Sequence, residues 1–160
     1  MTPVGPINFD IRPATDEDLD RIMALEREAF AHGWSSQSWA GQIRDRFTAV
    51  GRTVGGIGVV AMSSVADTAE LLRIVVAKGA RGVGLGRALV RHGLEWAARQ
   101  GAGEVFLEVS AGNRVAIGLY ESCGFSQLDR RADYYGPDDD ALVYRRQIPA
   151  SVEEEICLNR

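Results

Sequence analysis

Cysteine and histidine are scarce in this sequence, with two of each among 160 residues. Cys123 and Cys157 have neither a metal-ligand spacing nor the spacing of a redox pair, and His32 and His92 lack a third ligand or a triad partner. We therefore predict ordinary thiols in a reducing compartment, surface or packing roles for both histidines, and no bound metal. Cys123 also lacks a base partner, so we interpret it as a packing residue rather than a nucleophile.

Long hydrophobic runs are also missing. No apolar stretch approaches the roughly 20 residues that a bilayer-spanning helix needs, and the first residues lack the basic and apolar regions of a secretory signal. These features predict a cytoplasmic protein without membrane contact. With 160 residues, 46% of them hydrophobic and 25% charged, the composition fits one globular domain over 1–160. Residues 1–7 and 149–160 are expected to be flexible ends.

Periodicity and turn residues divide the chain into strands and helices. Four helices are predicted, one beginning after Thr15 and the others spanning 36–46, 84–99 and 114–122. The predicted strands cover 8–12, 48–50, 54–64, 70–77, 104–110, 125–133 and 141–147. Helices between the central strands and hairpins at both ends indicate an α/β fold with a sheet of mixed direction. In it, the crossover from 71 to 109 makes a parallel strand pair.

Some local features refine this outline. Thr15 with Asp18 three residues later resembles a helix capping box, and Trp39 lies on the apolar stripe of the second helix, where we predict core packing. The hairpin between the second and third strands is predicted to turn around Gly51 and Arg52.

The net charge of -4 argues against a general nucleic-acid binder, but the charge is unevenly distributed. Residues 71–94 contain no Asp or Glu and carry five cations, which are Arg73, Lys78, Arg81, Arg87 and Arg91. In an acidic protein this window is where an anionic ligand would bind. A solvated basic helix face is the alternative.

A glycine-rich loop lies between the hydrophobic strand and the third predicted helix. Within residues 78–87, Gly82, Gly84 and Gly86 alternate with larger residues. A helix start leaves N–H groups unpaired and carries a partial positive charge, and glycine lets a ligand approach the backbone, so a pyrophosphate is a natural occupant. The spacing fits neither a Walker A loop nor a dinucleotide fingerprint. It leaves the pattern Arg81-x-x-Gly84-x-Gly86, or a purely structural turn.

Three polar residues follow in the next strand and helix. Glu108 interrupts the apolar strand segment 105–109. A buried carboxylate is costly unless it is paired or needed, and burial would raise its pKa toward values useful for proton transfer. The alternatives for Glu108 are a solvated strand face or a structural ion pair. For Asn113 the alternative is a helix N-cap, and for Tyr120 a core aromatic.

Two motifs carry a resemblance to a known family. The loop pattern is similar to the R/Q-x-x-G-x-G/A motif of GNAT acyltransferases. Residues 107–125, LEVSAGNRVAIGLYESCGF, resemble the LEVR-x-x-N-x-x-A-x-x-LY-x-x-x-GF segment of RimI-type N-terminal acetyltransferases, and 130–135, RRADYY, resembles that family's RRxxYY segment. The likeness covers residues 9–148 and is strong over 70–125.

The resemblance implies a GNAT fold with a mostly antiparallel mixed sheet of about six to seven strands, a central parallel pair and about four helices. It implies acetyl-CoA as co-substrate, with Glu108 as general base and Tyr120 as general acid. The implied coenzyme A contacts are Ile74, Val75, Val76, Arg81, Gly82, Val83, Gly84, Leu85, Gly86, Arg87, Asn113 and Tyr120. The implied acceptor contacts are Trp34, Glu108, Tyr134 and Tyr135, with bulk packing as the alternative for the two tyrosines.

These roles are chemically consistent. An amine attacks a thioester only when neutral, and an α-amino group has a reference pKa of about 8, so a base such as Glu108 helps. The departing thiolate, with a pKa of about 8.5 by analogy with cysteine, benefits from a proton donor such as Tyr120.

The expected function is acetyl transfer to a protein N-terminus, with a small-subunit ribosomal protein that begins with alanine as the implied acceptor. We expect a monomer or weak dimer without direct nucleic-acid binding. A GNAT enzyme acting on a small amine or on lysine side chains, and a silent acyl-CoA-binding module, are the alternatives. The sequence has Gly33, Arg73 and Ser110 where the family pattern has Pro, Asn and Arg, which leaves the acceptor open.

Overall fold

The computed structural model describes residues 9–149. The predicted flexible ends lie outside this range, except for Pro149. The strands are β1 Asp10–Pro13, β2 Phe47–Thr53, β3 Gly56–Val65, β4 Thr68–Val76, β5 Glu104–Ser110, β6 Ser126–Gly136 and β7 Asp139–Gln147. The helices are α1 Leu19–Ala29, α2 Ser36–Asp45, α3 Leu85–Arg99 and α4 Arg114–Ser122. Short 3-10 turns at Asp16–Asp18 and Lys78–Ala80 precede α1 and the loop before α3.

The strands form one sheet in the order β1-β2-β3-β4-β5-β7-β6. Neighbouring strands are antiparallel except β4 and β5, which are parallel. The predicted mixed sheet with a central parallel pair is therefore confirmed, as is the predicted edge position of β1. The α3 crossover makes this parallel pair possible because it returns the chain to the starting end of the sheet.

The helices cover the two faces of the sheet unequally. On one face α3 and α4 pack against strands across the sheet, with Leu85, Leu89 and Tyr144 at the centre of that core. On the other face α1 and α2 pack on β2, β3 and β4 around Ile22 and Trp39. Trp39 is fully buried, as predicted. Among the described residues, the second face is thus covered on one half only, and no helix of that range packs on its β5 side.

The parallel pair separates after three residues. Thr68–Glu70 of β4 is in register with Glu104–Phe106 of β5, and no further pairs follow in either strand. The register between β3 and β4 shifts at the same place, where Ala61 pairs with Arg73 and Met62 with Leu71, leaving Leu72 as a bulge. A bulge bends its strand. The rest of β4 therefore diverges from β5, and no strand in the described part of the chain pairs with its main-chain edge on that side.

The predicted position of one turn is wrong for an identifiable reason, and several strands are longer than predicted. The β2–β3 hairpin turns at Val54 and Gly55, and Gly51 lies inside β2. A Cβ on Gly51 would lie 2.7 Å from the Leu85 side chain, so this glycine makes room for α3 and does not form the turn. Strand β6 extends to Gly136, three residues beyond the predicted end.

The predicted start of the first helix is confirmed in outline. Asp18 accepts a hydrogen bond of 2.8 Å from the Thr15 main-chain N–H, as in a capping box. Both oxygens of the Asp18 carboxylate also bind the Arg12 guanidinium, at 2.7 and 2.8 Å. This contact ties β1 to the start of α1.

Candidate active site

The glycine-rich loop joins the end of β4 to the start of α3. Gly82 and Gly84 have φ of +77° and +94°, in the left-handed region that favours glycine. Gly84 is the N-cap of α3, and no acidic residue lies in the first turn of that helix. The loop therefore presents free main-chain N–H groups and the positive end of the helix to the same space.

Neighbouring segments hold this loop in place. Arg81 donates from Nε to the Val76 carbonyl at 3.0 Å. A Cβ on Gly55 would lie 1.8 Å from the Gly79 carbonyl oxygen, so the β2–β3 turn lies directly against the segment before the loop. A Cβ on Gly86 would contact Leu119 of α4 at 3.4 Å and Val76 at 3.6 Å. The loop, the end of β4 and α4 thus converge.

The cations of the basic window have different surroundings. Arg73 and Lys78 pair with acids of α1, Glu26 and Glu28. Arg87 donates to the Ser122 carbonyl at 3.2 Å and, like Arg81, keeps an exposed guanidinium beside the loop. Arg81 and Arg87 are therefore the exposed arginines beside the loop, and the solvated-face alternative does not describe Arg73.

The opening between β4 and β5 continues from the loop toward the centre of the sheet. Ile74, Val75 and Val76 line the free side of β4. Val75 packs with the α1 and α2 core, while Ile74 and Val76 pack with the α3 and α4 core. A thin extended ligand would meet unpaired main-chain groups here, as an added strand does at a sheet edge.

Tyr120 of α4 is buried, with 6% of its surface exposed, and its ring lies edge-on to Phe125 at 6.0 Å between centroids. Burial raises the pKa of Tyr120 to about 12, against a smaller opposing effect of the Arg73 charge. The phenol is therefore protonated at neutral pH and able to donate. Tyr120 is a core aromatic, as the alternative stated, and also has the protonation state that a general acid needs.

Glu108 differs from the buried carboxylate that the sequence suggested. Its neighbours Leu107 and Val109 face the α3 and α4 core, so Glu108 points to the opposite face, where no helix within residues 9–149 covers β5. Its side chain is 32% exposed and accepts a hydrogen bond of 3.1 Å from Arg131. The burial prediction is wrong, and the ion-pair alternative is what the structure contains.

Several titratable groups influence one another around the opening. Burial, followed by the charge of Glu108, raises the pKa of Glu70 and of Tyr135. Tyr120 in turn is influenced by Arg73 and Tyr135. Glu70 is in register with Phe106, on the same face as Glu108. Glu70 and Glu108 thus lie on one face of the sheet, whereas Tyr120 packs in the α3 and α4 core on the other face.

The two tyrosines of β6 are half-exposed, which excludes the packing alternative. Their rings are edge-on to each other at 5.2 Å, and the Arg131 guanidinium lies over Tyr134 at 5.5 Å. Arg131 thus contacts both Glu108 and Tyr134. On the other side of the opening, Trp34 lies in the α1–α2 loop with its ring 4.9 Å from that of Trp39.

Asn113 caps α4, since its Oδ1 accepts a hydrogen bond of 3.2 Å from the Ala116 N–H. This is the N-cap alternative, and the exposed side chain lies at the end of the opening where β5 stops.

The other polar candidates have the packing or surface positions that were predicted. Cys123 is buried, which raises the pKa of its thiol. His92 stacks on Phe47 at 6.0 Å, and His32 is at the surface. Cys157 lies outside the described residues. Within 9–149, no three His, Cys, Asp or Glu side chains could hold a metal ion together. No helix in that range combines the length and apolar character needed to cross a membrane.

Sequence reasoning missed Glu26 on α1, which is buried and bound to Arg73. A signal was present, because Glu26 continues the apolar face of Ile22 at a spacing of four residues and is followed at the same spacing by Phe30. A charged residue on such a face requires a buried partner.

Comparison with known proteins identifies the family. Residues 7–125 match the Acetyltransferase (GNAT) family. The chain belongs to this family. It is 34% identical over 131 residues to the ribosomal protein bS18-alanine N-acetyltransferase of Escherichia coli (strain K12), covering 79% of this chain and 88% of that protein. The resemblance to RimI-type acyl-CoA N-acetyltransferases is thereby confirmed.

Solved structures agree with the fold. The crystal structure of the ribosomal-protein-S18-alanine N-acetyltransferase from Escherichia coli has a TM-score of 0.79 at 30% identity, covering 88% of this chain and 94% of that one. A chain of the NatC complex bound to Gag peptide and CoA has a TM-score of 0.78 at 20% identity, covering 89% of this chain and 100% of that one, and shares the fold.

Proposed function

We propose that this GNAT enzyme moves the acetyl group of acetyl-CoA to the N-terminal α-amino group of a protein in the cytoplasm. The N-terminal alanine of ribosomal protein bS18 is the first candidate acceptor, by similarity to the Escherichia coli enzyme. The observation that carries the proposal is the opening between β4 and β5, which begins at the glycine-rich loop and has Glu108 on one face of the adjoining strand and Tyr120 in the core of the other face.

The residues of the opening fit acetyl-CoA in charge and shape. The loop from Arg81 to Arg87 offers two guanidinium groups and the N–H groups of a helix start, which suit a pyrophosphate. The free edge of β4 at Ile74, Val75 and Val76 suits the pantetheine amides, which can pair with it as a strand would. When bound there, acetyl-CoA supplies an activated acetyl group as a thioester.

Two side chains divide the proton transfers in this proposal. Glu108 takes a proton from the acceptor ammonium, because its carboxylate is exposed to the open face and Arg131 occupies one of its oxygens, Oε1. Tyr120 donates its phenolic proton to the departing sulfur, since burial keeps it protonated at neutral pH. Direct attack of the amine needs no covalent enzyme intermediate, in agreement with the buried position of Cys123.

The acceptor would enter between the α1–α2 loop and β6. Trp34 stands on one side, and Tyr134 and Tyr135 stand half-exposed on the other. Aromatic walls with an acid at the base, Glu108, suit the cationic end of an extended peptide. We expect a monomer or weak dimer, because a cleft of this kind is complete within one chain.

An acceptor screen tests the proposal. Peptides that differ in their first residue, free polyamines, an aminoglycoside and a lysine-containing peptide blocked at its N-terminus are each incubated with acetyl-CoA, and thiol release is measured. The proposal requires peptides with a free N-terminal alanine to be the best acceptors. Turnover confined to small amines or to lysine would contradict the acceptor assignment, and acetyl-CoA binding without turnover of any acceptor would identify a silent binding module.

A further inference from the structure

One buried carboxylate oxygen joins three parts of the acceptor side. Glu26 of α1 is 1% exposed. Its Oε1 accepts hydrogen bonds from Arg73 through both Nε, at 3.0 Å, and Nη2, and from the main-chain N–H of Trp34 at 2.7 Å. A single atom therefore connects α1, the α1–α2 loop and β4.

Arg73 lies where β4 separates from β5. It is the first residue after the Leu72 bulge and pairs with Ala61, which directs it toward α1 and α2. Its guanidinium lies over the Phe30 ring at 3.9 Å and within 5.0 Å of the centre of the Trp34 ring. The charged plane thus packs against the aromatic wall of the acceptor cleft, at the point where β4 leaves β5.

Gly33 is matched to this arrangement. A Cβ at Gly33 would lie 2.7 Å from Cγ of Glu26 and 2.9 Å from its Oε1. Any side chain at this position would therefore displace the carboxylate that holds Trp34 and Arg73. Gly33 and Arg73 are two of the departures from the RimI-type pattern. Both lie against the same carboxylate, that of Glu26.

Stability alone does not account for this pair. Removing two charges from water is costly, and apolar residues of equal volume often stabilise a fold as well or better. The second oxygen of Glu26, Oε2, is buried and lacks a hydrogen-bond partner among the described residues, which adds to the cost. What the pair does provide is a fixed position for the Trp34 loop against β4.

We propose that Glu26 and Arg73 are positioning residues. They fix the Trp34 ring at one side of the acceptor cleft and so determine which N-terminal residues of an acceptor peptide the cleft accepts. This inference rests on the proposed function. Within residues 9–149, the hydrogen bonds of these two side chains join α1, the Trp34 loop and β4, and none goes to the glycine-rich loop. The pair therefore acts on the acceptor and leaves the affinity for acetyl-CoA unchanged. Without these contacts, Trp34 would move more freely, so the cleft would admit bulkier N-terminal residues and bind small ones less tightly.

The test uses Glu26→Gln, Arg73→Gln and the double variant. Glu26→Gln keeps an oxygen for the Trp34 N–H but removes the charge that holds Arg73, and it leaves the charge of Arg73 near Tyr120 in place. We expect kcat/KM for an alanine-first peptide to fall about tenfold to a hundredfold, mainly through KM. Discrimination against a phenylalanine-first peptide should narrow, while the Kd of acetyl-CoA, measured by calorimetry, stays the same.

The double variant separates positioning from folding. It leaves no unpaired buried charge, so its melting temperature should return toward that of the wild type, even if Arg73→Gln alone folds poorly. The positioning role requires its acceptor KM and selectivity to remain impaired. Glu28→Gln is the matched control, because it removes an exposed ion pair between α1 and Lys78, at 3.7 Å, and should change none of these values.

The possible failures are distinguishable. Absence of acetyl-CoA binding in the wild type would refute the proposed function itself. Normal binding and turnover, with wild-type acceptor KM and selectivity in Glu26→Gln and in the double variant, would overturn the positioning role alone.

Discussion

Glu108 and Arg131 form an ion pair of 3.1 Å that links β5 to β6 across the intervening strand β7. The contact holds the proposed base at the open face of the sheet and places Arg131 over Tyr134 as well. The carboxylate is therefore oriented before an acceptor arrives, which reduces the entropic cost of reaching a reactive geometry.

Glu108→Gln should lower kcat at least about a hundredfold, because the amide cannot accept the proton of the acceptor amine. Acetyl-CoA affinity, measured by calorimetry, should not change. Glu104→Gln is the control, since Glu104 lies on the same strand and its carboxylate is 3.9 Å from Arg145. Unchanged turnover and an unchanged pH profile in Glu108→Gln would remove Glu108 from the role of base.

Tyr120→Phe should lower kcat about a hundredfold while the fold and acetyl-CoA binding persist, because only the hydroxyl is lost. The pKa of about 12 also predicts that ionisation of Tyr120 does not limit activity below about pH 11. Tyr144→Phe provides the comparison. Tyr144 is buried too and donates to Glu121 at 3.0 Å, so its loss should cost about 1 kcal/mol of stability and leave kcat intact. Equal effects on kcat would mean that Tyr120 acts through packing.

Gly82→Ala should weaken acetyl-CoA binding in addition to lowering stability. Gly82 and Gly101 both have positive φ, +77° and +84°, and a Cβ at either meets no atom within 4 Å. Alanine should therefore cost each site about 1 kcal/mol through backbone strain alone. Gly101 ends α3 far from the loop, so Gly101→Ala serves as the control in calorimetry. Equal acetyl-CoA affinities in the two variants would argue against the loop as the pyrophosphate site.

Asp18→Asn should destabilise the protein at neutral pH and have little effect in acid. The hydrogen bonds from Arg12, opposed by burial and aided by the Thr15 N–H, lower the pKa of Asp18 below its ordinary value. A lowered pKa in the folded state stabilises the protein above the ordinary pKa, and that stabilisation is lost as pH falls through the lowered one. We expect a cost of about 1 kcal/mol at pH 7 in denaturant titrations, shrinking below about pH 4. Asp16→Asn, in the same turn, is the control, and a pH-independent cost in Asp18→Asn would contradict this account.

The features that follow from local chain chemistry were predictable. The glycine-rich loop, the α3 crossover and the parallel strand pair follow from the order of glycines and apolar runs around residues 71–109. Trp39 was predictable as core because its helical stripe shows which side faces inward.

The predictions failed at residues whose surroundings are set by elements far away in the sequence. Gly51 resembles a turn residue, but its role is set by Leu85 of a helix that begins 34 residues later. The alternation of side chains along β5 shows which face Glu108 lies on, but its exposure depends on how far α1 and α2 extend over that face. The partner of Glu26 lies 47 residues away on β4. The sequence therefore indicates that Glu26 needs a buried partner but does not identify which residue it is.

The early separation of β4 from β5 also makes the amide hydrogens of β4 reporters of occupancy. Between residues 71 and 76, amides that point toward β3 are protected within the sheet, whereas those that point toward β5 face the opening. Only the second set should exchange rapidly with deuterated solvent in the free protein and slow down when the acetyl donor binds. The amides of β4 that face β3 thus serve as an internal reference for the exchange of those that face the opening.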